Sequence, residues 1–348
     1  MIQARIRKKY PARRDAAAFS LDIDFSAPPG VTVLFGPSGS GKTLTLDAIA
    51  GLVRPDDGRI VIGGVLVYDR STGVYLAPQT RRTGYVFQNY ALFPHMSLRA
   101  NLEFAQGAQR VDEMLERFRL SDVSGRRPHE LSGGQKQRGS IARALIGNPR
   151  VLLLDEPARG LDAALKTDLY DILRQVRREF GTPTLLVTHD LNECFELEAH
   201  MLILREGRLI QSGPAQQVVD QPASVEVARL LGRHNLMAVE IRALDPERNI
   251  SRMAYGDFEL EGPFLPGRKI GDRAWMCTRP ESLIAHPGAG VPAKNRIAVD
   301  LLRAVTLPTS QRLEFSGGIA VESRTDARSP QPLEKWVVEF PPAAIRVL

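Results

Sequence analysis

The sequence predicts an α/β domain built around a mostly parallel sheet, followed by a smaller all-β domain. Two observations carry this prediction. The apolar runs at 151–154 and 184–187 lack polar alternation, as expected of strands covered on both faces, and a helical pattern separates them. After residue 235, short alternating segments are instead spaced by Pro and Gly, a pattern typical of a β-barrel or sandwich. We place the two domains at residues 1–232 and 236–348.

The composition is that of an ordinary globular protein. Of 348 residues, 43% are hydrophobic and 25% are charged. No apolar run approaches the roughly 20 residues needed to span a bilayer, and the N-terminus lacks the apolar core of a signal peptide. The only cysteines, Cys194 and Cys277, are far apart and lack metal-binding spacing. We therefore expect two ordinary thiols in a cytoplasmic protein.

The N-terminal segment is basic and alternating. Residues 1–14 contain six basic side chains and no acid, against a net charge of +6 for the whole chain. Such a cluster can bind nucleic acid or anionic lipid, but no aromatic interleaving accompanies it. Alternation at 2–10 and again at 19–25 favours the solvated face of a hairpin, and we predict no nucleic-acid partner. Tyr10 is the aromatic residue best placed to stack on a nucleotide base, or it packs within this hairpin.

The eight-residue segment 36–43 is the most informative part of the chain. It follows the apolar run 31–35, precedes a helical pattern, and has the GxxxxGK[ST] form of a phosphate-binding loop. Glycines let successive N–H groups point at a polyphosphate, and the following helix adds its positive end. Lys42 would reach the β- and γ-phosphates, and Thr43 would ligate Mg²⁺. The predicted ATP-binding residues here are Gly36, Pro37, Ser38, Gly39, Ser40, Gly41, Lys42 and Thr43.

Two further strands end in polar residues of the kind that act on phosphates. The run 151–154 is followed by Asp155 and Glu156, and the strand after helix 163–180 ends before His189. In parallel sheets ligands bind at the carboxyl ends of strands, and adjacent carboxylates there require a cation such as Mg²⁺. A second helix start suited to an anion is predicted at Ser132, Gly133, Gly134 and Gln135.

These elements, with Gln88 between them, occur in the order found in the ATP-binding subunits of ABC transporters, which this chain resembles over about residues 20–215. The resemblance implies an ABC ATPase fold and a head-to-tail homodimer with two ATPs at its interface. It also implies site roles: Asp155, Thr43 and Gln88 for Mg²⁺, Glu156 for the attacking water, and His189 for the γ-phosphate. Residues 132–135 and Asp162 would complete the site across the interface. Arg159 departs from the family, which usually has Ser there.

Within the family, the run from 86 to 95 resembles importers. The resemblance implies that Asn89 to Met96 meets a coupling helix of a membrane permease, which works with a solute-binding protein. The chain would then be peripheral, on the cytoplasmic face of the membrane. The β-rich C-terminus, with 278–282, resembles the OB-like accessory barrel of these importers.

Two segments, 25–35 and 81–85, resemble molybdate-type ATPases. Their oxyanion-binding barrel begins with a Ser-Ala-Arg-Asn-type segment, which Lys294-Asn295-Arg296 matches in part. Molybdate is therefore the predicted solute. Importers of sulfate, polyamines, sugars or iron share the architecture and remain alternatives. A soluble, non-transport ABC ATPase is the alternative from another class, but it usually carries paired cassettes or a coiled-coil insertion.

Overall fold

A computed structural model of the chain describes residues 1–12, 17–106, 110–288, 294–307, 310–323 and 334–348. It divides into two compact units, Met1–Val218 and Val219–Leu348. This division assigns the last short helix before the β-rich region to the second unit. The boundary at residue 232 stays a prediction. Among the described residues, no helix is both long and apolar enough to cross a membrane.

In the described ranges, the first unit is an α/β fold with an eleven-stranded sheet. Its strands are β1 (Ile2–Tyr10), β2 (Phe19–Ala27), β3 (Val31–Phe35), β4 (Asp57–Ile62), β5 (Val65–Asp69), β6 (Val74–Tyr75), β7 (Thr83–Val86), β8 (Val151–Asp155), β9 (Thr184–Thr188), β10 (His200–Arg205) and β11 (Arg208–Pro214). Their order in the sheet is β6-β5-β4-β1-β2-β11-β10-β3-β9-β8-β7. The helices of the chain are α1 (Lys42–Ala50), α2 (Pro78–Arg81), α3 (Leu98–Gln106), α4 (Val111–Arg117), α5 (Gly133–Leu145), α6 (Ala163–Phe180), α7 (Leu191–Glu196), α8 (Ala215–Asp220) and α9 (Val225–Leu231).

The strands at one end of this sheet are parallel, and three of them are fully buried. Strands β3, β9, β8 and β7 run parallel, and every residue of β3, β8 and β9 is buried. Burial on both faces explains the unbroken aliphatic runs, because neither face needs polar side chains. The register aligns Phe35 with Thr188, and Asp155 with Val187. The residues that follow these strands therefore meet at one edge of the sheet.

The predicted helix start at 132–135 is confirmed, since α5 begins at Gly133 with Ser132 as its N-cap. The capping box of Ser132 and Gln135 explains this start, since it satisfies amide groups of the first turn. Strand β7 ends at Val86, so Phe87 and Gln88 lie in the loop after it. Helix α6 spans Ala163–Phe180, as predicted.

Four of the six basic residues of the N-terminal segment, Arg5, Arg7, Lys8 and Lys9, lie on strand β1 of the β1–β2 hairpin. Arg7 lies 3.1 Å from Asp22 and 3.2 Å from Asp57, and Lys8 lies 2.7 Å from Asp56. These basic residues thus have acidic partners within the sheet. Arg13 and Arg14, which belong to the same predicted cluster, lie outside the described residues.

The second unit is all-β apart from its first short helical segments, which confirms the predicted fold class. In its described residues there are ten strands: β12 (Asn235–Asp245), β13 (Ile250–Tyr255), β14 (Phe258–Pro263), β15 (Arg273–Thr278), β16 (Ile284–Pro287), β17 (Arg296–Thr306), β18 (Gln311–Phe315), β19 (Ile319–Ser323), β20 (Lys335–Glu339) and β21 (Arg346–Val347). They form two five-stranded sheets with the orders β14-β13-β12-β15-β21 and β16-β20-β17-β18-β19, and the strand pairs are antiparallel. Side chains from both sheets fill one hydrophobic core, which includes Phe315 and Phe340.

Candidate active site

The phosphate-binding loop, residues 36–43, connects β3 to α1. Gly41 precedes the helix with φ 100°, and a Cβ atom there would lie 2.7 Å from Leu21 Cδ1, so this position requires glycine on two counts. Lys42 Nζ donates hydrogen bonds to the carbonyl oxygens of Gly36 and Pro37, both at 2.8 Å. Burial lowers the pKa of the Lys42 ammonium, while the charges of Glu156 and Asp155 act in the opposite direction. The loop thus holds a buried cation beside two carboxylates.

Two oxygen atoms meet where α1 faces the end of β8. The Thr43 hydroxyl donates a hydrogen bond to Asp155 Oδ1 at 3.2 Å. Burial raises the pKa of the Asp155 carboxyl, and the hydrogen bond from Thr43 acts in the opposite direction. A buried carboxylate next to a hydroxyl is a fitting donor set for Mg²⁺, which prefers oxygen ligands and takes its remaining ones from phosphate and water. Nearby, the buried Ser40 Oγ has no hydrogen-bond partner among the described residues.

Glu156 lies between two basic side chains. Arg159 Nη1 donates a hydrogen bond to Glu156 Oε2 at 2.9 Å, and His189 Nδ1 lies 3.8 Å from Glu156 Oε1. The Glu156 side chain is 17% exposed, whereas that of His189 is 67% exposed. Glu156 has φ 44°, in the left-handed region that few side-chain-bearing residues adopt. Backbone strain of this kind persists only where the surrounding structure holds the residue in place, and it is common at functional sites.

Gln88 follows β7 at the same edge of the sheet. Val86 is in register with Leu154, so the loop after β7 begins beside Asp155. The Gln88 side chain is exposed. The edge therefore brings Gln88 near the end of β8, while its predicted role toward Mg²⁺ stays a prediction.

The second group of predicted nucleotide-binding residues caps helices. Ser132 Oγ accepts a hydrogen bond from the Gln135 amide at 3.3 Å, and Gln135 Oε1 accepts one from the Ser132 amide at 2.9 Å. Asp162 caps α6 by accepting a hydrogen bond from the Leu165 amide. Ser132, Gly133 and Asp162 are exposed. Their contact with a nucleotide across a dimer interface stays a prediction.

Two residues near the loop were not identified from the sequence. Phe19 is in register with Tyr10, and its ring comes within 3.2 Å of where a Cβ of Gly41 would lie. Tyr10 is 38% exposed, with Lys8 Nζ 5.7 Å from its ring centroid, and its predicted stacking role stays a prediction. The sequence showed the alternation of β2, but it did not show that Phe19 lies against the phosphate-binding loop.

The second residue that the sequence did not reveal is Arg81. Its side chain is fully buried, and Nη1 donates to the carbonyl oxygens of Ala48 and Ile49 at the C-terminal end of α1. Nε donates to the Leu76 carbonyl at 2.9 Å. A cation at this end of a helix satisfies free carbonyls and opposes the helix dipole. Arg81 therefore stabilises the helix that begins with Lys42.

The fold and this site together define a P-loop ATPase. Residues 21–159 match the protein-family profile described as ABC transporter. Molybdenum import ATP-binding proteins are similar: that of Paramagnetospirillum magneticum is 40% identical, covering 70% of this chain and 69% of its own, and that of Rhizobium johnstonii is 36% identical, covering 79% and 81%. The spermidine/putrescine import ATP-binding protein of Oleidesulfovibrio alaskensis is 38% identical, covering 73% and 68%.

Among solved structures, the dimeric ATP-binding cassette MJ0796 bound to ADP and Pi is similar with a TM-score of 0.53 and 28% identity, covering 62% of this chain and 99% of that one. Taken with the relatives above, these likenesses fix the family. The chain belongs to the ATP-binding proteins of ABC transporters, and it is an ATPase.

Proposed function

We propose that this chain is the ATP-hydrolysing subunit of an ABC importer for molybdate. The observation that carries the proposal is the meeting of the phosphate-binding loop, Asp155, Glu156 and His189 at one sheet edge. The solute is supported by the relatives named as molybdenum importers, one of which aligns over 79% of this chain. A polyamine importer is the second candidate, because a spermidine/putrescine import protein is 38% identical.

In this proposal the residues act by positioning and by charge. Lys42 and the loop amides bind the β- and γ-phosphates, and His189 contacts the γ-phosphate. Thr43, Asp155 and Gln88 hold Mg²⁺, which neutralises phosphate charge when bound. Glu156 orients the water and accepts its proton as the water oxygen bonds to the γ-phosphorus and the bond to ADP breaks.

The proposed working state is a homodimer. Ser132, Gly133, Gly134, Gln135 and Asp162 would contact the ATP held by the partner's loop. The exposure of Ser132, Gly133 and Asp162 supports this role, since a residue that completes a site across an interface must be accessible in the single chain. The dimer would lie on the cytoplasmic face of the membrane, bound to permease subunits and served by a solute-binding protein.

The Glu156→Gln variant tests the assignment of the reaction. The amide keeps the size of the side chain but cannot accept the proton, so turnover should fall by at least about 100-fold. ATP binding should remain, and gel filtration with Mg-ATP should show a dimer. Lys42→Ala is the contrasting variant and should lose ATP affinity itself. Normal hydrolysis by Glu156→Gln would refute the assignment.

Uptake measurements test the solute. A strain that lacks this chain should lose uptake of radiolabelled molybdate and keep uptake of spermidine. Complementation with the wild-type gene should restore molybdate uptake, and the Glu156→Gln gene should not. Loss of spermidine uptake alone would favour the polyamine importer.

The loop 89–96 is the proposed docking site for the permease. Asn101, which is fully buried, fixes this loop: Oδ1 accepts a hydrogen bond from the Phe93 amide at 2.8 Å, and Nδ2 donates to the Phe93 carbonyl at 3.2 Å. The half-buried Phe93 ring packs 4.8 Å from the ring of Phe104, which is 65% exposed. A rigid loop beside an exposed aromatic supports a protein contact.

Changing both Tyr90 and Phe93 to Ser should uncouple transport while leaving basal ATPase nearly unchanged. Because Phe93 also packs on its neighbours, Phe104→Ser is the cleaner variant, since most of that ring is exposed. A thermal melt and the basal ATPase rate, measured before transport, separate the outcomes. If transport persists in both variants, the loop is not the docking site.

A further inference from the structure

The carboxylate of Glu156 is held by an arginine three residues further along the chain. Arg159 Nη1 donates to Oε2 at 2.9 Å, while the other oxygen, Oε1, faces His189 Nδ1 at 3.8 Å. We infer that Arg159 is a positioning residue that directs Oε1 of Glu156 toward the reacting water. This inference rests on the proposed function, in which His189 marks the side where the γ-phosphate lies.

The ion pair is built into one turn of the chain. The Arg159 amide donates a hydrogen bond to the Glu156 carbonyl at 3.2 Å, so the two residues share a turn as well as a side-chain contact. The Glu156 amide in turn donates to the Val187 carbonyl of β9 at 3.1 Å. The backbone of Glu156 is therefore fixed on the sheet, and the remaining freedom lies in its side-chain torsions. Arg159 restricts those torsions by holding one of the two oxygens.

Other charges in the same cavity do not compete for Arg159. The cavity has a volume of about 150 Å³ and is lined by Glu156, Arg159, Lys166, His189, Asp190 and Glu193, among others. Asp190 is already paired with Lys166 at 3.0 Å. Glu193 is almost completely buried, whereas the Arg159 side chain is 59% exposed. Of these acids, Glu156 is the one that Arg159 contacts.

A positioning role and a structural role predict different magnitudes. Partly exposed ion pairs contribute little to folding stability, so the loss of this pair should not unfold the domain. A catalytic group displaced by about 1 Å can instead lose up to about 100-fold in rate. A change that lowers the rate far more than it lowers the melting temperature therefore identifies positioning.

The test compares Arg159→Ala and Arg159→Lys by steady-state ATPase kinetics on the full-length protein. For Arg159→Ala we expect kcat to fall about tenfold, with KM for ATP unchanged within about twofold, because the water is misaligned while ATP binding is intact. Arg159→Lys, which keeps a cation on a long stem, should recover at least about half of the lost kcat. The matched control is Arg174→Ala. Arg174 pairs with Asp171 at 2.8 Å with the same three-residue spacing and also with Glu196 at 2.6 Å, and its loss should leave kcat unchanged.

An unchanged or raised kcat in Arg159→Ala would overturn the inference, as would a fall in kcat/KM that comes from a raised KM for ATP alone. If Arg159→Ala also melts at a lower temperature, Arg159→Gln and Arg159→Lys decide, since both keep the stem but only lysine keeps the charge. Equal kcat values for these two variants would contradict positioning by charge. Glu156→Gln, measured in parallel, distinguishes a failure of the proposed function from a failure of the inference about Arg159. If Glu156→Gln hydrolyses ATP normally, the proposed function is wrong. If it is inactive while Arg159→Ala behaves as wild type, only the role of Arg159 is wrong.

Discussion

The phosphate-binding loop of the first unit and the start of β12 in the second unit place buried polar side chains in different settings. In the first unit, Lys42, Asp155 and Ser40 are buried beside the phosphate-binding loop, and Ser40 Oγ has no partner among the described residues. In the second unit, buried Asn235 exchanges two hydrogen bonds with the backbone of Ala320, both at 2.8 Å. A buried polar group costs free energy unless it is paired. The paired Asn235 is therefore explained by the fold itself, whereas the unpaired Ser40 Oγ lies in the loop that is predicted to bind phosphate.

Asn295 shows why this comparison matters for the partial match at residues 294–296. Its Oδ1 accepts a hydrogen bond from the Glu261 amide, and its Nδ2 donates to the carbonyls of Glu261 and Phe340. Lys294 and Arg296 form ion pairs with Glu261 and Glu339. All three side chains of the segment are thus engaged within the second unit. The contacts explain these residues as supports of the β-fold, without an oxyanion.

The largest expected effect is in the first unit, at Arg81. Arg81→Met removes the three hydrogen bonds to Leu76, Ala48 and Ile49 and leaves buried carbonyls without donors, which should cost about 3 kcal/mol of stability. Urea unfolding would measure it. The control is Arg178→Met at an exposed position of α6, which should change stability by less than about 0.5 kcal/mol.

An Arg81→Met variant with unchanged stability would contradict the stabilising role of Arg81 in the first unit. Burial lowers the pKa of the Arg81 guanidinium, which reflects the desolvation of its charge. A neutral result would mean that this desolvation offsets the hydrogen bonds, as happens for some buried ions replaced by apolar side chains. Arg81 holds the end of α1 that lies opposite to Lys42. ATP affinity should therefore fall along with stability only if the loss of Arg81 displaces the whole helix.

The sequence was sufficient for those parts of the site that depend on local chemistry. The strand, glycine loop and helix at 31–50, and the carboxylates after a buried strand, follow from neighbouring residues, and the structure brings them to one sheet edge. Parallel strands ending in polar residues leave few other arrangements. The overall class of the second unit was likewise predictable from its alternating pattern.

The contacts that the sequence did not reveal are long-range or depend on side-chain torsions. Arg81 lies more than 30 residues from Ala48 in the chain, and no pattern distinguishes it from exposed arginines. Phe19 approaches Gly41 only because β1 and β2 are in a particular register. Arg159 was recognised as an unusual residue, but its pairing with Glu156 is a matter of rotamers. Sequence patterns specify periodicity and caps, not these choices.

A smaller effect is expected in the second unit, at Asn295. Asn295 has φ 61°, so glycine is the substitution that removes the side chain without backbone strain. Asn295→Gly should lose about 2 kcal/mol of stability in the second unit, because one buried and two partly buried hydrogen bonds are lost, and ATPase activity should be unchanged. The control is Arg296→Ala, which breaks a partly exposed ion pair and should cost less than about 1 kcal/mol. A calorimetric titration with molybdate that shows heat for wild type and none for Asn295→Gly, with folding intact, would reverse this structural assignment.

The smallest expected effect sharpens the comparison most directly, because each unit contains one buried cysteine. Cys194 and Cys277 are 0% and 2% exposed, and burial raises the pKa of both thiols, that of Cys277 to about 11. Both should therefore resist alkylation at pH 8 until their unit opens. ATP at ten times its Kd should stabilise the first unit by about 1.4 kcal/mol, if it binds only the folded form. Alkylation of Cys194 should then slow about tenfold in moderate urea, while that of Cys277 should not change. Mass spectrometry of the labelled peptides measures the alkylation of both cysteines in one sample. The control is Lys42→Ala, which should not bind ATP, so that ATP should not slow the alkylation of its Cys194. Equal protection of both cysteines would show that the two units unfold as one.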